Sequence, residues 1–317
     1  MTKEFIVFSE KPGLMAELLA NAVRLAENQS AVVAAIVIGD QKMVEWAFAH
    51  GAAKVYSLGE LTNFRLLDDY VSTMIKLVKE SQPSVVIVGA TRQGKAIAGR
   101  LSASINTSAI TDGKSFASTS DGIEITHLIF GGGAIRVEKA NTTTMVLTQG
   151  ASVIEPLPEQ SGATGEVVNV PFVEPTWKAS LVERKPKPPA SVNLSVAKIV
   201  VCAGRGIAKK EDLDQVFELS TLLGGEVAAT RPLTEGLDWL PRERYIGVSG
   251  ATVKPDLYLS VGVSGQAQHT VGITESRVIV AVDKDGAAPI FSQADYYIVG
   301  DLYEFIPAMI ATLKARK

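Results

Sequence analysis

Apolar residues in this chain gather in short runs separated by stretches of helical period. Residues 5–8, 31–38, 54–57 and 84–88 read as buried strands, and residues 14–26, 43–50 and 70–80 as helices. In the last of these helices Val71, Met74, Ile75 and Val78 recur at spacings of three and four, the period of one helix face. Strands with little polar alternation, separated by helices, predict a parallel sheet covered on both faces. Residues 1 to about 110 are therefore expected to form an α/β layered unit.

The texture changes from Thr111 to Thr148. Asp112-Gly113 and Asp121-Gly122 are turn signals, and residues 123–129 and 143–147 alternate as strands do. Gly131-Gly132-Gly133 reads as a tight turn, and residues 155–175 are spotted with proline and glycine. Glu183-Arg184-Lys185-Pro186-Lys187-Pro188-Pro189 then marks the boundary between domains. Three prolines among charges exclude a helix interior or a central strand and favour an extended, solvated linker. The expected division is a domain at 1–182, a linker at 183–193 and a second domain at 194–317.

Beyond the linker the alternation resumes. Strands are expected at 198–203, 226–229, 256–261, 277–282 and 296–299, and helices at 213–223, closed by Gly224-Gly225, and at 302–313. The fold class is thus α/β, with an N-terminal α/β layered domain and a doubly wound parallel sheet at the C-terminus. Open sheets of this kind place ligands at the carboxyl ends of their strands. Two of those ends are rich in glycine: Gly204-Arg205-Gly206 after the first strand, and Gly262-Val263-Ser264-Gly265 after the run at 257–261. Glycine lets backbone N–H groups approach an anion closely, and a helix starting near Gln266 would add its positive end. The pair predicts a site for a phosphate-containing ligand.

Composition narrows the classes. The 317 residues carry a net charge of −3, with 46% hydrophobic and 21% charged residues, as expected for packed globular domains without a nucleic-acid footprint. No apolar run reaches the roughly 20 residues of a membrane helix. The N-terminal MTKEFIVFSE runs into a strand without the pattern of a secretory signal, so a cytoplasmic protein is expected. One cysteine rules out an internal disulfide framework, and with only three histidines it argues against a His/Cys metal site. Gly262–Gln266 comes near a nucleophile elbow, but Gln266 replaces its last glycine and no triad partners follow, which argues against a hydrolase. The turn Gly89–Lys95 lacks the Ser or Thr of a Walker motif, because Ala96 follows Lys95.

Taken in order, GRG at 204–206, TRP at 230–232, GVSG at 247–250, KPDLYLSVGVSGQAQH at 254–269 and AVDKDGAAPIFSQADYYIVGDLYEFIPAM at 281–309 resemble the alpha subunit of electron transfer flavoproteins. The likeness is nearest to bacterial subunits of acyl-CoA and carnitine-type metabolism and is strongest over the last third of the chain. It implies an FAD-binding C-terminal domain that swings about the linker, and an N-terminal domain with a nucleotide-binding-like fold that holds no nucleotide. It also implies a beta-subunit partner carrying AMP or a second FAD. Electrons would pass between FAD and an acyl-CoA-type flavoprotein dehydrogenase, a quinone reductase or another acceptor, with no direct membrane insertion and no nucleic acid. A nucleotide-binding scaffold without redox turnover is the alternative.

The resemblance also implies roles. Ser264 and Gly265, after Gly262, match the pyrophosphate turn, and Arg205, between Gly204 and Gly206, is expected as a cation for the phosphate or the flavin side. Thr230 and Arg231 lie where a guanidinium can stack beside the isoalloxazine ring, Val248 and Ser249 fall near flavin N5, and Gln268 and His269 match a pair on the pyrimidine side. Asp301 and Leu302 match the adenosine end. Asp283 stands where the family usually has Asn, which puts an anion near phosphate. Asp283→Asn is accordingly expected to tighten FAD binding, measured by titrating the stripped protein with FAD.

Overall fold

The computed structural model describes residues 3–62, 64–119, 122–130, 133–151, 153–177, 179, 181–183 and 192–316. By internal contacts the chain divides into two compact units, 1–129 with 133–184, and 185–317 with 130–132. The expected linker positions 184–191, and Asp121, Gly131 and Gly132 of the expected turns, lie outside the described residues.

The first unit begins with β1 (Lys3–Phe8), α1 (Pro12–Glu27), β2 (Ala31–Val37), α2 (Gln41–Ala49), β3 (Lys54–Ser57), α3 (Val71–Ser81), β4 (Val85–Gly89) and α4 (Arg92–Ser104). It continues through β5 (Ala109–Gly113), β6 (Ser115–Thr119), β7 (Gly122–Ile129), β8 (Ala134–Lys139), β9 (Met145–Gln149) and β10 (Glu166–Asn169). Seven strands form one parallel sheet in the order β10-β3-β2-β1-β4-β9-β5, and β6, β7 and β8 form an antiparallel sheet. Alternate residues of β1 supply two cores: Phe5 and Val7 pack with α1 and α2, while Ile6 and Phe8 pack with α3 and α4. The parallel sheet therefore extends well past residue 110. The segment expected at 143–147 belongs to β9, wholly buried between β4 and β5, and β10 arises within the proline- and glycine-spotted stretch.

The second unit contains β11 (Ile199–Ala203), α5 (Leu213–Leu223), β12 (Glu226–Ala229), α6 (Arg231–Thr234), β13 (Leu257–Val261), α7 (Ala267–Thr270), β14 (Ile279–Asp283), β15 (Tyr296–Val299) and α8 (Leu302–Ala315). Its parallel strands run β12-β11-β13-β14-β15. Chain order reverses between β11 and β13, so their carboxyl ends open the crevice where doubly wound sheets bind ligands. Val201 and Ala203 face a core shared with α5 and α8, and Val200 and Cys202 face the opposite core with Tyr258. Gly224 ends α5 in the left-handed region (φ 72°), donating its N–H to Ser220 and Thr221. Among the described residues, no helix is long and apolar enough to cross a membrane.

Candidate functional site

The glycine turns after β11 and β13 pack backbone against backbone. Gly206 N–H donates to the Gly262 carbonyl at 3.0 Å, and Gly204 N–H to the Val261 carbonyl at 3.0 Å. A Cβ on Gly204 would lie 2.0 Å from that Gly262 oxygen, and one on Gly206 would lie 2.7 Å from Gly262 Cα. Gly262 and Gly265 are also in the left-handed region, at φ 66° and 83°. Only glycine meets both demands. Leu302 supports both turns, its Cδ2 lying where a Cβ on Gly206 or Gly262 would reach.

Above these turns lies a cavity of about 740 Å³, within the range of small-molecule sites. Of the expected site residues, Arg205, Gly206, Thr230, Arg231, Val248, Gly262, Ser264, Gly265, Gln268, His269 and Asp283 line it. Gly204 lies beneath the turn, Ser249 is exposed next to rim residue Val248, and Leu302 is buried under the glycines. Asp301 is exposed and caps α8, accepting the Tyr303 N–H at 2.8 Å. Gln266, expected as a helix start, and Lys284 also line the cavity, as does Tyr245, which the sequence did not single out. Lys284 follows Asp283 directly and was readable as a compensating cation; Tyr245 arrives from a distant loop and had no local signal.

The cavity is lined with donors that lack acceptors. Among the described residues, the backbone N–H groups of Arg205, Ser264, Gly265 and Gln266 donate to no partner, and neither Arg205 nor Lys284 has an ion-pair partner. Among the described residues the buried Thr230 hydroxyl has no hydrogen-bond partner, and the residue is 9% exposed. Leaving a buried hydroxyl unsatisfied costs about 1–3 kcal/mol, so the site is built to receive hydrogen-bonding groups from a ligand. Free N–H groups, cations and a backbone cradle that no Cβ could enter fit a pyrophosphate-containing cofactor. The helix expected after Gln266 is a single turn, Ala267–Thr270, too short to supply a macrodipole of consequence. Any anion here is held by individual N–H groups and cations.

His269 differs most from the sequence expectation in its surroundings. Its Nδ1 lies 3.0 Å from the Ile246 carbonyl and its Nε2 2.7 Å from the Tyr258 hydroxyl. A carbonyl only accepts, so Nδ1 carries the proton and Nε2 accepts from Tyr258. Burial holds the imidazole down to about 4, partly opposed by the bond to Ile246, and the ring is neutral at physiological pH. Both nitrogens are thus taken by the protein. With Val248 N–H donating to the Gln268 carbonyl at 2.8 Å, His269 ties the 246–250 loop to α7. Cys202 lies 3.9 Å from Nε2, with its thiol pushed up to about 12 by burial, and is inert. Among the described residues no His, Cys, Asp and Glu cluster could hold a metal ion.

Asp283 lines the cavity while its Oδ1 accepts the Asp285 N–H at 2.9 Å. An asparagine there would keep that acceptor and lose the charge.

Residues 13–175 match the model of the electron transfer flavoprotein domain, and residues 193–274 that of the electron transfer flavoprotein FAD-binding domain. The chain is 38% identical to YdiR of Escherichia coli (strain K12) over 97% of each chain. It is 35% identical, again over 97% of each, to FixB of Escherichia coli O157:H7 and to FixB of Shigella flexneri. The match to the family's FAD-binding domain lies within the second unit and includes both glycine turns of the cradle. On these grounds the chain belongs to the electron transfer flavoprotein family, as an FAD-binding alpha-type subunit.

Proposed function

We propose that FAD sits in the cavity of the second unit with its pyrophosphate on the turns after β11 and β13. The observation that carries this reading is the set of N–H groups at Arg205, Ser264, Gly265 and Gln266 that have no partner among the described residues, flanked by Arg205 and Lys284, which have no ion-pair partner among them either. Thr230 and Arg231 then face the isoalloxazine end, with Val248 and Ser249 on the rim loop near N5. His269 serves that end by holding the rim loop, and Asp301 and Leu302 serve the turns and the start of α8. When bound, FAD supplies the redox chemistry, taking up and releasing electrons. The chain's own residues bind and orient it, and no side chain is required as a general acid or base.

In the same reading the chain pairs with a beta subunit carrying AMP or a second FAD. It exchanges electrons with an acyl-CoA-type flavoprotein dehydrogenase, a quinone reductase or a further acceptor, in the cytoplasm. The edge strand β15 supports a covering partner: Tyr296, Tyr297, Ile298 and Val299 are all exposed, at 68%, 58%, 45% and 53%. Exposed apolar sheet edges are normally covered or blunted. Residues 1–182, 183–193 and 194–317 act in this account as subunit-contact domain, linker and flavin domain.

Thr230→Val tests the placement. The substitution removes a buried hydroxyl without a partner, so the FAD-free protein gains about 1 kcal/mol in thermal unfolding. FAD affinity falls about five- to tenfold, the loss of one hydrogen bond of roughly 1 kcal/mol, read from flavin fluorescence titration. Unchanged affinity would remove Thr230 from the site.

A further inference from the structure

The three cations that line the cavity are not equivalent. Arg205 and Lys284 have no ion-pair partner among the described residues. Arg231 is held by Glu235 one helical turn later, Nε to Oε2 at 2.7 Å, and the same carboxylate takes Arg242 Nε on its other oxygen at 3.0 Å. Glu235 is the tucked member of the group: its side chain is 21% exposed, against 67% for Arg231 and 61% for Arg242. Its backbone is fixed as well, Glu235 N–H donating to the Arg231 carbonyl at 2.8 Å. Arg231 opens α6 immediately after Thr230, and Pro232 stiffens the backbone at that point. Its guanidinium, which lines the cavity, is therefore oriented by Glu235, whose carboxylate it shares with Arg242.

We infer that Glu235 is a positioning and charge-setting residue for the flavin: it fixes Arg231 at the ring end of the cavity and moderates the positive potential there. The inference rests on the placement of FAD proposed above. An anion next to the cation that faces the ring lowers the preference for the more negative, reduced cofactor; removing it raises that preference. The forked geometry separates the two roles. Glutamine keeps an oxygen acceptor for an arginine Nε and removes the charge, whereas alanine removes both.

The test is potentiometric titration of FAD-loaded wild-type protein, Glu235→Gln, Glu235→Ala, Arg231→Met and the double variant Glu235→Gln/Arg231→Met. Glu235→Gln is expected to retain its flavin and to favour reduced over oxidised FAD about three- to fivefold more than wild type. That corresponds to about 30–40 mV upward for a one-electron couple. Arg231→Met shifts the potential downward, and in its background the Glu235→Gln increment falls to less than half. Glu235→Ala, which frees Arg231, broadens the flavin absorption bands and weakens FAD binding, which a through-space charge alone would not do. An unchanged or lowered potential in Glu235→Gln, with Arg231→Met still shifting downward, would overturn the inference and leave the placement of FAD standing. An unchanged potential in Arg231→Met would instead overturn the placement of Arg231 beside the ring, and the role of Glu235 with it.

Discussion

Gly265→Ala leaves the protein without flavin. Gly265 sits at φ 83°, where a Cβ costs about 1–2 kcal/mol. The added carbon would lie 2.3 Å from the Ile290 nitrogen and 2.5 Å from its Cα. Both are backbone atoms, and Ile290 N–H already donates to the Ser264 carbonyl at 3.1 Å, so neither side yields without breaking the turn. Overpacking of this kind adds about 1–3 kcal/mol. The expected cost is about 2–5 kcal/mol, with a fall of roughly 10 °C in the melting of the flavin unit. Purified protein should hold less than a tenth of wild-type flavin, because the turn that carries the free N–H groups of Ser264 and Gly265 is distorted. Gly286→Ala is the control: its Cβ would meet Val299 Cγ1 at 3.7 Å, ordinary contact, and flavin content should not change. Full flavin occupancy in Gly265→Ala would mean that the turn does not carry the cofactor.

Acidification from pH 7 to pH 5 is expected to destabilise the second unit through His269. His269 falls from its ordinary 6.5 to about 4 in the folded protein, chiefly through burial. A histidine with a depressed folded value keeps its full contribution above pH 6.5 and loses it as the pH falls toward 4, because the unfolded chain takes up the proton first. The whole span is worth about 3 kcal/mol, of which about 2 kcal/mol is lost between pH 7 and pH 5. Urea unfolding of the FAD-free protein, followed at Trp239 in a Trp46→Phe/Trp177→Phe background, reads this unit separately. His269→Asn should flatten the profile between pH 7 and pH 5. An equally steep profile in that variant would assign the dependence to other groups.

The parallel architecture was legible because buried parallel strands need continuous apolar runs. The expected 226–229 and 296–299 agree with β12 and β15 to the residue, and 213–223 with α5. β5 and β10 escaped for a local reason. Ala109–Gly113 contains an Asp-Gly pair with Asp112 at φ 55°, a turn signal inside a strand, and β10 is four residues of edge strand among prolines and glycines. The helix start expected near Gln266 opens only a single turn, because glycine and polar residues announce a helix start but not its extent.

Within the site, the glycines stood out because close backbone approach admits no other residue. What lay beyond sequence was pairing across the fold. Tyr258 and Ile246 meet His269 only because β13 runs beside α7 and the 246–250 loop. Thr230 was singled out by resemblance, yet its orphaned hydroxyl is visible only once its surroundings are built. Glu235 lies four residues from Arg231, a spacing common to many surface helices, and acquires meaning from the cavity beside it.

The most direct test of the account is the visible absorption spectrum of this chain purified after co-expression with its beta partner. The account predicts oxidised-flavin bands close to one FAD per alpha chain beyond any flavin on the partner, lost in Gly265→Ala and kept in Gly286→Ala. A folded complex with no flavin on the alpha chain would contradict it.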